Sequence, residues 1–244
     1  MALNIIDISD HQATMDIAKV FQQNPLAGAV VKATQGTYYV NKYYCDPWIQ
    51  WLIKNKKLWG FYHFLEGSPN AAAEAKYFVQ HCKNYFGKGL CVADWEEPAY
   101  LKGTDYLYDF LKEVFVLTGV KPVVYIRQGL VAQYKTGLTA IAGAGYKLWL
   151  AQYASNNPSG LQANPWQGGS IYPWEDYIMH QYSDHGRLNG YSFDLDLNLF
   201  YGTEDDWWAL AQSNEVKPVP AEPVYTPSRD EIIAQIMDLL EKLR

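Results

Sequence analysis

The sequence predicts an irregular (β/α)8-like barrel, and three observations carry that prediction. Eight short apolar segments alternate with amphipathic ones, the pattern of strands separated by crossover helices. The length of 244 residues is close to the roughly 250 that one such barrel uses. No G-x-G-x-x-G and no P-loop follows any strand candidate, which removes the main support for an open nucleotide-binding sheet.

Strands are expected at 4–9, 29–34, 58–64, 90–96, 122–127, 147–153, 177–182 and 193–200, each rich in β-branched and aromatic residues. The clearest helix lies at 70–86, with an Ala-rich start; others are expected at 46–55 and 104–117. Weaker periodicity marks 15–23 and 130–142. Gly28, Gly60, Gly89 and Gly119 stand at or shortly before strands, where helix C-caps belong. The helical pattern fails between Ala154 and Asp176, a stretch of Asn, Pro, Gly and Trp that reads as a loop. With the last helices short or missing, the barrel is expected to be irregular.

The barrel domain is assigned to residues 1–213, closed by a helix on which Trp207 and Trp208 pack. Residues 214–228 hold Pro218, Pro220, Pro223 and Pro227 and read as a stiff, extended linker. A capping box formed by Ser228 and Glu231 then opens an amphipathic helix over 229–244. Its apolar stripe, Ile232, Ile236, Leu239, Leu240 and Leu243, is too long for a four-turn helix to bury alone. Self-association into a homo-oligomer is the expected outcome, with docking on the barrel or another surface as the alternative.

Composition narrows the ligand. Hydrophobic residues make up 49% and charged residues 19%, enough apolar mass for a core and too little charge for disorder. A net charge of −6 argues against nucleic acid and against an anionic membrane, both of which need clustered Lys and Arg. No apolar run reaches transmembrane length, and the N-terminus lacks the basic and apolar regions of a signal peptide. The thiols Cys45, Cys82 and Cys91 cannot all pair and show no C-x-x-C spacing, which suits a reducing compartment. The 9 Trp, 20 Tyr and 9 Phe are either core filler or faces for a neutral, flat ligand such as sugar.

The chemistry centres on Asp94-Trp95-Glu96. Alternation on a strand puts Val92, Asp94 and Glu96 on one face, at the strand end where barrel enzymes place catalytic groups. Two carboxylates buried together favour a raised pKa, as a proton donor to a glycosidic oxygen requires. Asp7 ends the first strand, and Asp194, Asp196 and Asn198 share a face of the last. Barrel closure makes those strands neighbours, so Asp7 approaches Asp196. As independent ion pairs these acids need basic partners on adjacent strands, and only Lys32 and Arg127 are evident. Convergence on one site is the better account. Tyr62, Tyr125, Trp149 and Tyr153, near strand ends, are candidates for stacking on or bonding to sugar, Lys32 for binding the substrate, and Gln152 and Gln181 for bonding hydroxyl or acetamido groups.

In this setting the chain resembles glycoside hydrolase family 25, the lysozymes or N-acetylmuramidases found among phage endolysins and bacterial autolysins. Seven segments carry the resemblance in order: Asp7-Ile8-Ser9 with His11-Gln12, Val31-Lys32-Ala33-Thr34-Gln35-Gly36, Gly60-Phe61-Tyr62-His63-Phe64, Asp94-Trp95-Glu96, Leu148-Trp149-Leu150-Ala151-Gln152-Tyr153, His180-Gln181-Tyr182-Ser183 and Asp196-Leu197-Asn198-Leu199-Phe200. One departure is Gln35, where the family often has Glu, so the chain has one acidic group fewer. The resemblance implies hydrolysis of the β-1,4 bond between N-acetylmuramic acid and N-acetylglucosamine in peptidoglycan, without a cofactor. It implies Glu96 as general acid and Asp94 as the group that orients or stabilises a participating 2-acetamido group. Asp7 and Asp196 complete the acidic cluster.

Two other readings stay open. A metal-dependent amidase or deacetylase would draw on His11, His63 and His180, although no H-x-H or H-E-x-x-H spacing appears. A non-catalytic sugar-binding barrel is the other. An endolysin-like plan leads to the expectation of synthesis in the host bacterial cytoplasm and action on the cell wall after release.

Overall fold

The computed structural model of the protein describes residues 2–212. The linker and the amphipathic helix expected over 214–244, with the stripe from Ile232 to Leu243, lie outside the described residues. Within them the expected barrel is present. Its strands are β1 (Leu3–Ile8), β2 (Gly28–Gln35), β4 (Leu58–Phe64), β5 (Leu90–Asp94), β6 (Val123–Arg127), β7 (Leu148–Ala151), β8 (Met179–Leu188) and β9 (Tyr191–Phe200), and β3 (Tyr39–Val40) adds a short hairpin beside β2. Five helices cover the outside: α1 (Ile17–Gln23), α2 (Cys45–Lys54), α3 (Ala71–Cys82), α4 (Gly103–Thr118) and α5 (Gln128–Gly143). A sixth, α6 (Glu204–Ala211), closes one end. None of the described helices is long and apolar enough to cross a membrane.

Helix ends follow the local chemistry. Asp16 caps α1 by accepting from the Lys19 amide, and Asn70 caps α3 by accepting from the Ala73 amide. Thr203 and Asp206 form a reciprocal capping box on α6. Gly119 ends α4 with a φ of 72°, a left-handed conformation that a residue without a Cβ adopts cheaply.

The irregularity lies in the second half. From β1 to β8 every neighbouring pair around the barrel through β2, β4, β5, β6 and β7 is parallel. No helix joins β7 to β8; residues 152–178 form an extended connection, tied to the strands at its two ends and through a Ser159–Gly186 bridge. β9 then returns as the antiparallel arm of a hairpin and closes the barrel against β1, with Asp7 opposite Asp196. Because β9 runs backwards, its early residues, rather than its last ones, lie at the C-terminal end of the parallel strands.

Two cores result from the alternation of strand faces. Ile5, Val30, Leu90, Val92, Val123, Met179 and Phe200 point inwards and fill the barrel. Ile6, Val31, Phe61, Cys91, Val124 and Leu150 point outwards and pack under the helices with Phe78, Phe110 and Leu111. Gly60 stands at an inward position where a Cβ would meet the Leu90 carbonyl oxygen at 2.8 Å. Trp207 plugs the floor: it is fully buried, stands edge-on to Phe200, and donates its indole N–H to the Trp59 carbonyl at 3.1 Å. Trp48 is buried under α2, and Trp51 packs against Phe21. The floor is therefore dry and apolar, and polar inward residues appear only towards the opposite end.

Candidate active site

At that polar end a cavity of about 220 Å3 opens between the strand ends. Asp7, Lys32, Tyr62, Asp94, Glu96, Tyr125, Trp149, Tyr153, Gln181 and Asp196 all line it. Ten of the eleven expected site residues are thus brought together. The exception is Gln152, which is corrected here. Its amide donates to the Gly168 carbonyl at 2.9 Å and accepts from the Gly168 amide at 3.0 Å, so it clamps the long β7–β8 connection. Gln152 sits at the strand end, but its side chain turns to the loop because that backbone supplies both partners at once.

The four acids are arranged in two layers. Deepest is Asp7, whose Oδ2 accepts from the Asn198 amide at 2.7 Å and the Gln181 amide at 3.0 Å. Asp196 faces it across the β1–β9 ladder. Burial pushes both carboxyls up; the amide donors hold Asp7 back, whereas the Asp7 charge drives Asp196 further, well above the usual carboxylate range. Of the two, Asp196 therefore has the stronger hold on a proton.

Asp94 and Glu96 form the second layer. Asp94 is paired laterally with Phe64 on β4 and Tyr125 on β6, and its Oδ1 has no hydrogen-bond partner. Burial first, then Glu96 and Asp7, push Asp94 well above the carboxylate range, with the Lys32 charge opposing. Glu96 is only partly buried and lies just past the end of β5. Burial raises its carboxyl as well, and the Arg127 charge moderates the rise. Trp95 between them points the other way, fully buried edge-on to Tyr134.

The aromatic candidates divide by depth. Trp149 is 2% exposed, edge-on to Tyr125, and spends its indole N–H on Asn198 at 3.0 Å. It forms the cavity floor rather than an open stacking platform. Tyr125 donates to Gln181 Oε1 at 2.7 Å, and Tyr153 donates to the same oxygen. Gln181 therefore faces Asp7 with its nitrogen and two phenols with its oxygen, which fixes its amide orientation. Tyr62 is partly buried, and burial together with Asp94 raises its phenol well above the ordinary value, so it remains a proton-bearing donor.

Lys32 lies nearly buried with its ammonium 4.9 Å from the Phe64 ring centroid and donates to Gln35 Oε1 at 2.5 Å. Gln35 in turn donates to Glu66 and, at 3.2 Å, to Tyr38. A register shift between Lys32 and Thr34 lets Gln35 join Lys32 on one side, although their spacing is odd. Val92 lines the cavity on the face that alternation predicts it shares with Asp94 and Glu96, whereas Asp184, Ser9 and Phe64 are not among the expected cavity residues. Asp184 reaches the cavity because β8 slips register on either side of Ser183, and only that bulge reverses its face. His11 also lines the mouth, exposed. Asp194 is the converse case: it lies outside the cavity and pairs with Arg187. The local pattern passed over Arg187 as a basic partner. Among the described residues, no three His, Cys, Asp or Glu side chains are grouped to hold a metal ion.

Comparison with known proteins places this geometry. The model of the family described as glycosyl hydrolases family 25 matches residues 6–191. The uncharacterized protein YegX of Escherichia coli O157:H7 is 30% identical, over 87% of this chain and 75% of that protein. An autolytic lysozyme of Clostridium acetobutylicum is 25% identical, over 80% of this chain and 55% of its own length. The crystal structure of a bacterial lysozyme from Streptomyces coelicolor superposes with a TM-score of 0.70 at 23% identity, covering 86% of this chain and 97% of that one.

Proposed function

The chain belongs to glycosyl hydrolases family 25, and from that premise we propose that it is a muramidase cleaving the β-1,4 bond between N-acetylmuramic acid and N-acetylglucosamine in the bacterial cell wall. The observation that carries the reading is the cavity itself: Asp7, Asp94, Glu96 and Asp196 face one opening at the strand ends, with burial raising all four carboxyls.

Glu96 is the general acid. It is partly buried at the open end of β5, and its raised carboxyl keeps a proton to deliver to the leaving glycosidic oxygen. Asp94 takes the acetamido N–H of the sugar, so that the acetamido oxygen attacks C1 as the C–O bond breaks. Its unpartnered Oδ1 is free for such a donor. In the second step water adds to C1 and returns its proton to Glu96, restoring the starting state. Asp7, held by Gln181 and Asn198, and Asp196 fix charge below the reacting pair and tune its protonation. Tyr62 and Lys32 bind the sugar from the β2–β4 side.

Digestion of purified peptidoglycan tests this. New reducing ends on N-acetylmuramic acid, identified by mass spectrometry and insensitive to chelator, are expected. Release of free amines or acetate without reducing ends would overturn the reading.

A further inference from the structure

Beside the acidic cavity lies a second groove of about 490 Å3, where β6 enters α5 and β7 ends. The two spaces share Tyr153. Tyr100, Arg127, Gln128, Gln133 and Gln152 line the groove, and Arg127 is the one charged residue among its lining. Arg127 is exposed and, among the described residues, has no carboxylate within ion-pair distance. Because Tyr153 borders both spaces, an occupant of the groove adjoins the acidic cavity.

The two spaces have opposite electrostatics. The cavity is lined by five acids, Asp7, Asp94, Glu96, Asp184 and Asp196, against one lysine. An anionic substituent on a bound sugar is repelled there and attracted to the neighbouring guanidinium, whose planar fork suits a carboxylate. The Gln133 amide and the Tyr100 hydroxyl of the groove offer both donors and acceptors, as a peptide backbone requires. Muramic acid carries its peptide on a lactyl arm, and that peptide bears free carboxylates.

We propose that this groove receives the carboxylate-bearing peptide attached to the glycan, with Arg127 pairing to a peptide carboxylate and setting a preference for peptide-bearing over bare chains. The inference rests on the muramidase reading and adds to it a second recognition site.

The test compares kcat/KM on glycan strands that keep their peptides with the same strands stripped by an amidase, for wild type, Arg127→Ala and Gln133→Glu. Binding of both polymers is measured in parallel by calorimetry on a Glu96→Gln background. Each substitution should lower the ratio of peptide-bearing to bare kcat/KM about fivefold, chiefly through KM, with the preference weakening at high salt. Unchanged ratios, whether both polymers lose equally or neither does, overturn the proposal. Absence of new reducing ends from either polymer with wild type overturns the muramidase reading instead, and the binding ratio then judges the groove alone.

Discussion

Two sets of ionisable groups are buried in this protein, on opposite faces of the same strand. Inside the barrel, Tyr62 of β4 looks into the cavity with Asp94 and Asp7. Outside it, His63 stands fully buried beside an equally buried Glu74, Nε2 to Oε2 at 3.9 Å, and its Nδ1 meets Thr34 Oγ1 at 2.8 Å. Both sets contain polar atoms without partners: Asp94 Oδ1 in one, His63 Nε2 and Glu74 Oε2 in the other. What separates them is access. The inner set opens to a cavity of about 220 Å3, whereas the outer set is sealed under Phe78 and Phe110, which pack on the His63 ring. Glu74 there accepts from the Glu66 amide at 2.9 Å, so its carboxylate holds backbone. Buried charge alone does not mark a site; buried charge that a ligand can reach does.

The largest expected break is Glu96→Gln. Loss of the proton donor should lower kcat on purified cell wall by roughly 10^2–10^4-fold while the thermal midpoint stays at or above that of wild type. Retained turnover would remove Glu96 from the role assigned to it.

The outer set should respond the other way. Glu74→Ala leaves the Glu66 amide without its acceptor and should cost about 2 kcal/mol in urea unfolding, with turnover per folded molecule preserved. A variant as stable as wild type would show that Glu74 carries no structural load.

Asp94→Asn sharpens the contrast through pH. The folded carboxyl lies well above its ordinary 3.8, so the fold favours the protonated form. Stability from this group is fully present below the unfolded value near 3.8 and is lost as pH rises through the folded value. Asp94→Asn should therefore be inactive yet more stable than wild type at pH 7, with the gain shrinking towards pH 4. His63 has the opposite sign: burial lowers it, so its contribution fades as pH falls through the unfolded value of 6.5. Denaturant midpoints measured across pH 4–8 separate the two. A gain that does not vary with pH would sink the linkage.

The smallest effect concerns the clamp. Gln152→Ala removes two hydrogen bonds to Gly168 and should cost about 1 kcal/mol or less. Faster proteolytic nicking within 154–176 is the sensitive readout, and unchanged cleavage would show that the loop is held elsewhere.

Much of this was legible in advance because it is local. Alternation on β5 puts Asp94 inwards and Trp95 outwards whatever the rest of the chain does, and turn residues delimit eight strands in order. Closure brings Asp7 to Asp196, as adjacency of the first and last strands implies. Local pattern fails where a strand changes phase. The slips in β2 and β8 bring Gln35 and Asp184 to the cavity side, at positions that strict alternation from Lys32 and Gln181 assigns to the other face. It also fails where partners are chosen only after folding, as with Arg187 for Asp194 and Gly168 for Gln152.

The sequence by itself determined the order of elements, the inward face of each regular strand and the identity of the acids at their ends. Those follow from steric periodicity and side-chain chemistry within a few residues. The tertiary structure alone decided which acids are pushed furthest towards the protonated form, which of two buried charge clusters opens to a ligand, and that Arg127 borders a second groove. Each depends on distance and desolvation between residues far apart in the chain, and these exist only once the barrel has closed.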